Sequence, residues 1–380
     1  MRRGTKIQKL KQALPGIVKD VRHYAKPRVK LHNEGLGDYY TEGYRSLNQR
    51  EWKGVRDTAY DFASWLKVYG YMAVTLGKHP VALTKSFVRY PWMASYLTVA
   101  NMLDRHKLGL RGKQLRYTQE QFYGVVHNSV DVIAKIIERD ENLNSPNNKR
   151  AAKLRAKTVM FDEMTPSIIM AGIPMLDWID IAMSPVCLPG EVDQNANIMY
   201  VDAAERMGLA ADVCPLPSAE VGCAIVDDYP QVGSSFITSS MPCDGSLGAA
   251  LFMDRYMKKL PSFTLTPPQR FNEPETNAYA VKDLKNCIRF IEETYHVKWD
   301  WDAFWEKAEE YNKTTQCMLD KWDVNCTPYP QVIGSALSLQ REYEFQTAAC
   351  LDPFMTKQDE KVTKICLLYT SDAADDSLRV

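Results

Sequence analysis

One segment of the sequence, residues 234–259, predicts a strand, a turn and a helix in direct succession. Ser234 to Ser239 suits a short strand, Met241 to Gly245 carries the Pro and Gly of a turn, and Ser246 to Lys258 has helical apolar spacing. Strands that alternate with helices build α/β sheets. Cys243 lies in the turn, and the carboxyl ends of strands in open α/β sheets are where ligands bind. The free amides at a helix N-terminus also favour a thiolate.

Apolar periodicity divides the chain near residue 157. The first 155 residues predict helices, of which the clearest follows Thr118, with Gln121 at capping-box spacing. Its apolar residues repeat at helical intervals along one stripe, namely Phe122, Val125, Val126, Val130, Ile133, Ile136 and Ile137. After residue 157, short apolar runs separated by Pro, Gly and Asp alternate with helical stretches. This pattern indicates an α/β fold.

The predicted organisation has five segments. They are a helical N-terminal extension over 1–155, an α/β domain over 156–275, a helical connector over 276–327, the start of a second α/β domain over 328–365, and a tail over 366–380. The tail, CLLYTSDAADDSLRV, resembles the translation of a sequencing adapter, so we leave it out of the fold argument. We therefore expect the natural protein to be cut short near Ile365, within its second α/β domain.

Composition excludes several classes of protein. A formal net charge of zero argues against attachment to nucleic acid by bulk electrostatics. The basic start lacks the apolar core of a secretory signal, and charges interrupt the apolar stretch from Trp65 to Val88, so we expect a cytoplasmic protein that does not span a membrane. In that reducing compartment the nine cysteines, all at or after Cys187, should be thiols or metal ligands. No zinc knuckle, Walker loop or GxSxG elbow is present.

Two segments that contain cysteines give the remaining indication of function. Cys214 is followed eight residues later by Gly222, and Cys243 is followed by Asp244, with an apolar run just upstream of the second cysteine. Downstream come PSFTLTPPQRFNEPETNAYAVKDLKNCIRFIEE and WDWDAFWEKAEEYN. From about Pro174 to Pro330 this arrangement resembles the 2-hydroxyacyl-CoA dehydratase and benzoyl-CoA reductase superfamily. In that superfamily a Ser follows the first cysteine, whereas this chain has Pro215.

The resemblance implies flavodoxin-like, doubly wound domains and a four-iron, four-sulfur (4Fe-4S) cluster held by three cysteines. Cys214 and Cys243 carry over as cofactor-binding metal ligands, and the third ligand is expected beyond Ile365. The segment GIPMLDWIDIAMSPVCLPGE resembles the Gly-x-Pro segment of the family and carries Glu191 over as an acid-base residue. A surface glutamate is the alternative. Ala171 stands where catalytic subunits have a serine.

The activity implied by the resemblance is removal of water from an (R)-2-hydroxyacyl-CoA to give an enoyl-CoA. An ATP-dependent iron-sulfur activator supplies one electron, which makes the thioester a ketyl radical and acidifies carbon three, and a homologous second subunit completes the enzyme. Three alternatives stay open: a benzoyl-CoA-type acyl-CoA reductase subunit, a non-catalytic structural or electron-relay partner subunit, and an α/β protein whose two cysteines are packed thiols.

Overall fold

The computed structural model describes residues 30–31, 50–51, 54–103, 112–162, 165–193, 195–240, 244–256, 260–268, 273–325 and 357. Within them the helices are α1 Gly54–Leu76, α2 Pro80–Arg89, α3 Gly112–Arg139, α4 Lys149–Arg155, α5 Leu188–Val192, α6 Ile198–Arg206, α7 Pro215–Ile225, α8 Asp244–Tyr256, α9 Pro274–Tyr295 and α10 Trp301–Asn325. The strands are β1 Lys30–Leu31, β2 Arg50–Glu51, β3 Thr158–Phe161, β4 Asp177–Asp180, β5 Ser235–Ser239 and β6 Ser262–Leu265. Two 3₁₀ segments, Pro91–Leu103 and Ser167–Gly172, and a π-helical turn, Met183–Cys187, complete the described structure. Apart from residue 357, the predicted second α/β domain and the tail lie outside these residues.

Four strands form a parallel sheet in the order β4-β3-β5-β6. Central β3 pairs with β4 on one side and with β5 on the other, so that Val159 lies opposite both Trp178 and Ser235. Numbered along the chain, the four strands have the order 2-1-3-4, and the direction of winding reverses between β3 and β5. A parallel sheet with crossover helices confirms the predicted α/β class, although helices make up most of the described chain. A separate antiparallel pair joins β1 to β2.

Both faces of the sheet are covered. Alternate residues of the central strands point to opposite sides: Val159, Phe161 and Ile237 pack in one buried cluster with Cys287 and Ile291 of α9. On the other face, Met160 and Phe236 belong to a cluster that includes the N-terminal helices and α7. The N-terminal helices therefore share a hydrophobic core with the sheet. The predicted domain boundary at residue 155 stays a prediction.

Helix α3 carries the apolar stripe predicted for it, since all seven residues of the stripe are buried. The predicted start is wrong, because α3 begins at Gly112 and Thr118 lies inside it. Thr118 is fully buried, and its hydroxyl has no hydrogen-bond partner among the described residues. Packing against the core thus overrides the capping signal that Thr118 and Gln121 suggest.

The two helices of the predicted connector are present as α9 and α10. At the start of α10, Asp300 Oδ1 accepts hydrogen bonds from the backbone N–H groups of Asp302 and Ala303, both at 3.0 Å. Asp300 also donates its backbone N–H to the carbonyl of Gly172 at 2.8 Å. These bonds fasten the beginning of α10 to the 3₁₀ segment Ser167–Gly172.

Asp140 joins the helical region to the loop that precedes β5. The Tyr90 hydroxyl donates to Asp140 Oδ2, and the backbone N–H groups of Asn142 and Gln231 donate to Asp140 Oδ1, each at 3.1 Å. Burial raises the pKa of Asp140 to about 6, although these hydrogen bonds and the charge of Arg89 act in the opposite direction. The folded protein therefore binds a proton here more tightly than the unfolded chain does.

Asp140→Asn should change how stability depends on pH. With a folded pKa of about 6 against an ordinary value of 3.8, the stabilisation from the protonated carboxyl is complete below 3.8 and is lost as the pH rises through 6. Asparagine cannot ionise, so the unfolding free energy of the variant relative to the natural chain should rise by about 2 to 3 kcal/mol between pH 4 and pH 7. Urea unfolding across this range measures the difference.

Asp177→Asn provides the control for that experiment. Burial opposes ionisation of Asp177, but the charges of Lys135 and Arg139 outweigh it and lower the pKa. Its ionised form therefore stabilises the fold at pH values above the ordinary carboxyl pKa. This stabilisation is lost only as the pH falls towards the lowered pKa. The relative stability of Asp177→Asn should show no rise over the same interval. A flat difference curve for Asp140→Asn would contradict the role assigned to Asp140.

Candidate functional site

The carboxyl edge of the sheet is where β3 and β5 end side by side. Asp162 follows β3, and its backbone N–H donates to the carbonyl of Ile237 at 3.0 Å. Its Oδ2 accepts a hydrogen bond from the Thr238 hydroxyl at 3.1 Å. Winding reverses between these two strands, and ligands of open α/β sheets bind in the crevice that such a reversal creates.

Helices α6 and α7 form an antiparallel hairpin beside this sheet. Tyr200, in the first turn of α6, packs on Gly222, in the last turn of α7: a Cβ atom on Gly222 would lie 1.8 Å from the Tyr200 carbonyl oxygen. Only glycine permits so close an approach of the two backbones. Cys214 precedes α7 and lies eight residues before Gly222, which corresponds to about 12 Å at a helical rise of 1.5 Å per residue.

The C-terminal end of α7 is clamped by the N-terminal region. Arg89 of α2 places Nη1 3.0 Å from Asp228 Oδ1 and Nη2 2.9 Å from Asp227 Oδ2. Asp227 has a φ of 59°, a left-handed backbone conformation at the end of the helix. The Trp92 indole N–H adds a hydrogen bond of 3.1 Å to the Asp228 carbonyl. This ion-paired arrangement holds the loop that follows α7.

The same loop fixes the direction of α7. It ends at Ser234, whose backbone N–H donates to the carbonyl of Thr158 at 3.1 Å, at the beginning of β3. The C-terminal end of α7 therefore lies at the amino edge of the sheet, and its N-terminal end points towards the carboxyl edge. Cys214 thus lies towards the edge at which β5 ends.

Cys214 is exposed and directly precedes the first residue of α7. Its carbonyl accepts a hydrogen bond of 2.9 Å from the Ser218 hydroxyl, which ties the residue to the first turn. Pro215, the departure from the family pattern, occupies the first helical position, where proline is favoured because it needs no hydrogen-bond partner for an N–H.

The other described cysteine side chains are buried. Cys187, Cys223 and Cys287 all pack in the core. Burial raises the pKa of Cys223 well above its ordinary value and that of Cys287 to about 12. Both are neutral core thiols, as the sequence predicted for them.

Cys243, the second predicted ligand, lies outside the described residues. On either side of it, Ser240 follows β5 and Asp244 begins α8. In the part of the chain that the structure describes, no group of three or more His, Cys, Asp or Glu residues is arranged to hold a metal ion. The metal-ligand assignments of Cys214 and Cys243 therefore stay predictions.

Glu191 lies on α5 and is exposed. A Cβ atom on the adjacent Gly190 would lie 2.7 Å from Asn197 Nδ2, just before α6 begins. Glu191 is thus beside the start of the α6–α7 hairpin, whereas Cys214 lies at its other end. The structure does not bring these two predicted site residues together, and the acid-base role of Glu191 stays a prediction.

Sequence reasoning missed three buried polar residues: Asp162 after β3, Glu220 in α7 and Tyr229 in the loop that precedes β5. Asp162, Glu220 and Tyr229 have exposed fractions of 3%, 2% and 1%. Glu220 is the one charged residue in α7, PLPSAEVGCAI, and a lone carboxylate in an apolar helix is unusual. That signal was available from the sequence.

The geometry defines an α/β protein with an exposed thiol that lies towards the carboxyl edge of its parallel sheet. Residues 192–349 match the family model of the 2-hydroxyglutaryl-CoA dehydratase D-component, and this segment includes Cys214 and Cys243. The 2-hydroxyacyl-CoA dehydratase superfamily predicted from the cysteine segments is therefore confirmed over this part of the chain. No curated protein matches the chain. Among the described helices, none is both long and apolar enough to cross a membrane.

Gly222→Ala should destabilise the protein. The added methyl group would overlap the Tyr200 carbonyl, where a Cβ has only 1.8 Å, so α6 and α7 must separate. We expect the free energy of unfolding to fall by about 3 kcal/mol. Gly248→Ala in α8 is the matched control because nothing lies within 4 Å of its Cβ position; it should stabilise by about 0.5 to 1 kcal/mol. Equal effects of the two substitutions in urea unfolding would contradict the close packing.

Proposed function

We propose that this chain is a component of an enzyme that removes water from an (R)-2-hydroxyacyl-CoA to give an enoyl-CoA. The match to the D-component family supports a dehydratase component. The proposal of this particular reaction rests on the position of Cys214. Cys214 is an exposed thiol at the N-terminus of α7, and this end of the helix points towards the edge where β5 leads to α8. Cys243 follows β5 in sequence, so both family cysteines are assigned to one edge.

We further propose that the sheet belongs to a flavodoxin-like domain. Its 2-1-3-4 strand order is that of the first four strands of the doubly wound 2-1-3-4-5 arrangement. In that arrangement the cofactor binds where winding reverses, which here is the edge between β3 and β5. Asp162 and Thr238 lie at this edge and are hydrogen-bonded to each other at 3.1 Å.

The proposed cofactor is a 4Fe-4S cluster, with Cys214 and Cys243 as two of its ligands. Cys214 fits this role because it is exposed and directly precedes α7, and cysteine sulfur is the usual protein ligand of such clusters. When bound with one iron open, such a cluster supplies one-electron chemistry and a Lewis acid for a thioester carbonyl. The protein's own contribution is to hold Cys214 in place through the α6–α7 hairpin and the Arg89 clamp.

The proposed partners are an acyl-CoA substrate, a homologous second subunit, and an ATP-dependent iron-sulfur activator that delivers the electron, all in the cytoplasm. The carboxyl edge is the proposed meeting point because Cys214 is exposed there.

A non-catalytic, electron-relay partner subunit is the second candidate. Two observations favour it: Glu191 does not approach Cys214, and Ala171 is buried next to Gly172, whose Cβ position lies 2.4 Å from the Trp299 ring. Ala171 is therefore buried in a segment that contacts the connector at Gly172. Activity that appears only when this chain is mixed with a catalytic homologue distinguishes this candidate from the first.

Anaerobic iron and sulfide analysis tests the proposed cofactor. The protein, purified with its second subunit, should contain iron and sulfide in equal amounts, and Cys214→Ser should lose most of both while remaining folded. Cys223→Ala is the control: it lies in the same helix but is buried, so it should lower stability by about 1 to 2 kcal/mol and retain the iron. A folded natural complex without iron, or full iron content in Cys214→Ser, would contradict the proposal.

A further inference from the structure

Helix α1 is apolar on two sides. One side is buried in the core cluster that includes α3 and carries Val68, Met72 and Leu76. The other side faces solvent, although its large residues are apolar as well. Four of them have exposed fractions between 48% and 75%, namely Val55, Phe62, Leu66 and Val74. A helix that is apolar on both sides normally packs on both sides, so the solvent-facing side of α1 has the composition of an interface.

Small residues fill the rest of the solvent-facing side of α1. Four of them are exposed, namely Ala59, Ala63, Gly70 and Ala73. Nothing lies within 4 Å of the position that a Cβ atom on Gly70 would occupy, so the space beside the helix is open there. Among the α1 side chains that the structure describes, Lys67 is the only charged one. Its Nζ lies 3.1 Å from Glu120 Oε2 and 3.6 Å from the centre of the Tyr123 ring, so its charge is engaged within its own chain.

The area of this surface matches what a dimer needs. Helix α1 has 23 residues, which gives a length of about 34 Å and a diameter of about 10 Å, so the half of its surface that faces solvent measures about 500 Å². A patch of about 300 to 600 Å² is the largest that an ordinary monomer exposes, and it often has a function. Two such surfaces together bury about 1,000 Å², the size at which specific interfaces begin.

The exposed residues of α1 are also arranged symmetrically about the middle of the helix. Six of them follow one another at spacings of 4, 4, 3, 4 and 4 positions, namely Val55, Ala59, Ala63, Leu66, Gly70 and Val74. These spacings read the same in both directions. When two copies of α1 lie antiparallel about a two-fold axis between residues 64 and 65, each member of the set therefore faces another member. The valines meet at the two ends, and Leu66 faces the smaller Ala63 near the axis. A two-fold interface requires such a self-complementary surface.

We propose that two copies of this chain associate through the solvent-facing sides of their α1 helices, which pack antiparallel about a two-fold axis. Removal of the four large apolar residues from water drives the association. Ala59 faces Gly70 of the second copy, and residues this small allow the two helix backbones to approach closely. Helix α1 lies outside the matched family region, residues 192–349, and the association needs neither a cluster nor a substrate. The inference is therefore independent of the proposed dehydratase function.

Analytical ultracentrifugation of the full chain tests the association. At about 50 µM the natural chain should sediment as a dimer. Leu66→Glu should weaken the dimer by about 10²-fold, because two-fold symmetry brings two carboxylates into one buried apolar surface. Leu251→Glu in α8 is the matched control, since Leu251 is also exposed, at 64%; this variant should dimerise like the natural chain. A natural chain that is monomeric at this concentration, or a Leu66→Glu variant that dimerises as tightly as the natural chain, would overturn the proposal.

Photo-crosslinking of the full chain identifies what covers the solvent-facing side of α1. With p-benzoylphenylalanine in place of Val55, ultraviolet light should give a covalent dimer in which tryptic mapping joins position 55 to peptide 68–78, which contains Val74. The same probe in place of Leu251 should give no covalent dimer. A product that joins position 55 to another segment of its own chain, or to the second subunit in a mixture of the two, would identify a different occupant and overturn the proposal. A dimer joined through position 55 of both copies would overturn the antiparallel arrangement.

Discussion

The ion pairs between Arg89 and the two aspartates after α7 set the geometry on which the proposed site depends. A helix held at one end is fixed in direction, and the residue before its other end is fixed with it. Arg89 comes from a segment that the matched family region, residues 192–349, does not include. The N-terminal helices therefore have a structural role: they cover one face of the sheet and hold the helix that presents Cys214.

This arrangement gives a physical reason for the spacing between Cys214 and Gly222. The glycine allows the carbonyl of Tyr200 to approach α7, and the separation of eight positions places the cysteine about 12 Å away at the opposite end of the same helix. Pro215 fits the same scheme, because the first position of a helix accepts proline. A proline in place of the family's serine thus leaves the geometry of Cys214 compatible with an exposed ligand.

Local patterns in the sequence predicted the local structure well. The strand and helix around Cys243, the apolar stripe of α3 and the connector helices α9 and α10 follow from periodicity and turn residues within short windows. Short sequence patterns did not predict two features correctly. One is the start of α3, where burial of Thr118 outweighs its capping preference, and the other is the arrangement of residues around the site. Arg89 contacts Asp228, which lies 139 residues further along the chain. No periodicity in the sequence predicts a contact over such a separation.

The central claim is that Cys214 and Cys243 share the carboxyl edge of the sheet. Dibromobimane tests it most directly, since this reagent fluoresces when it bridges two neighbouring thiols. Treatment of the folded, reduced, cluster-free chain should give a fluorescent product in which peptide mapping joins Cys214 to Cys243, and Cys214→Ser should abolish it. Reaction at both thiols without a bridge between them, or a bridge from Cys214 to a different cysteine, would contradict the account.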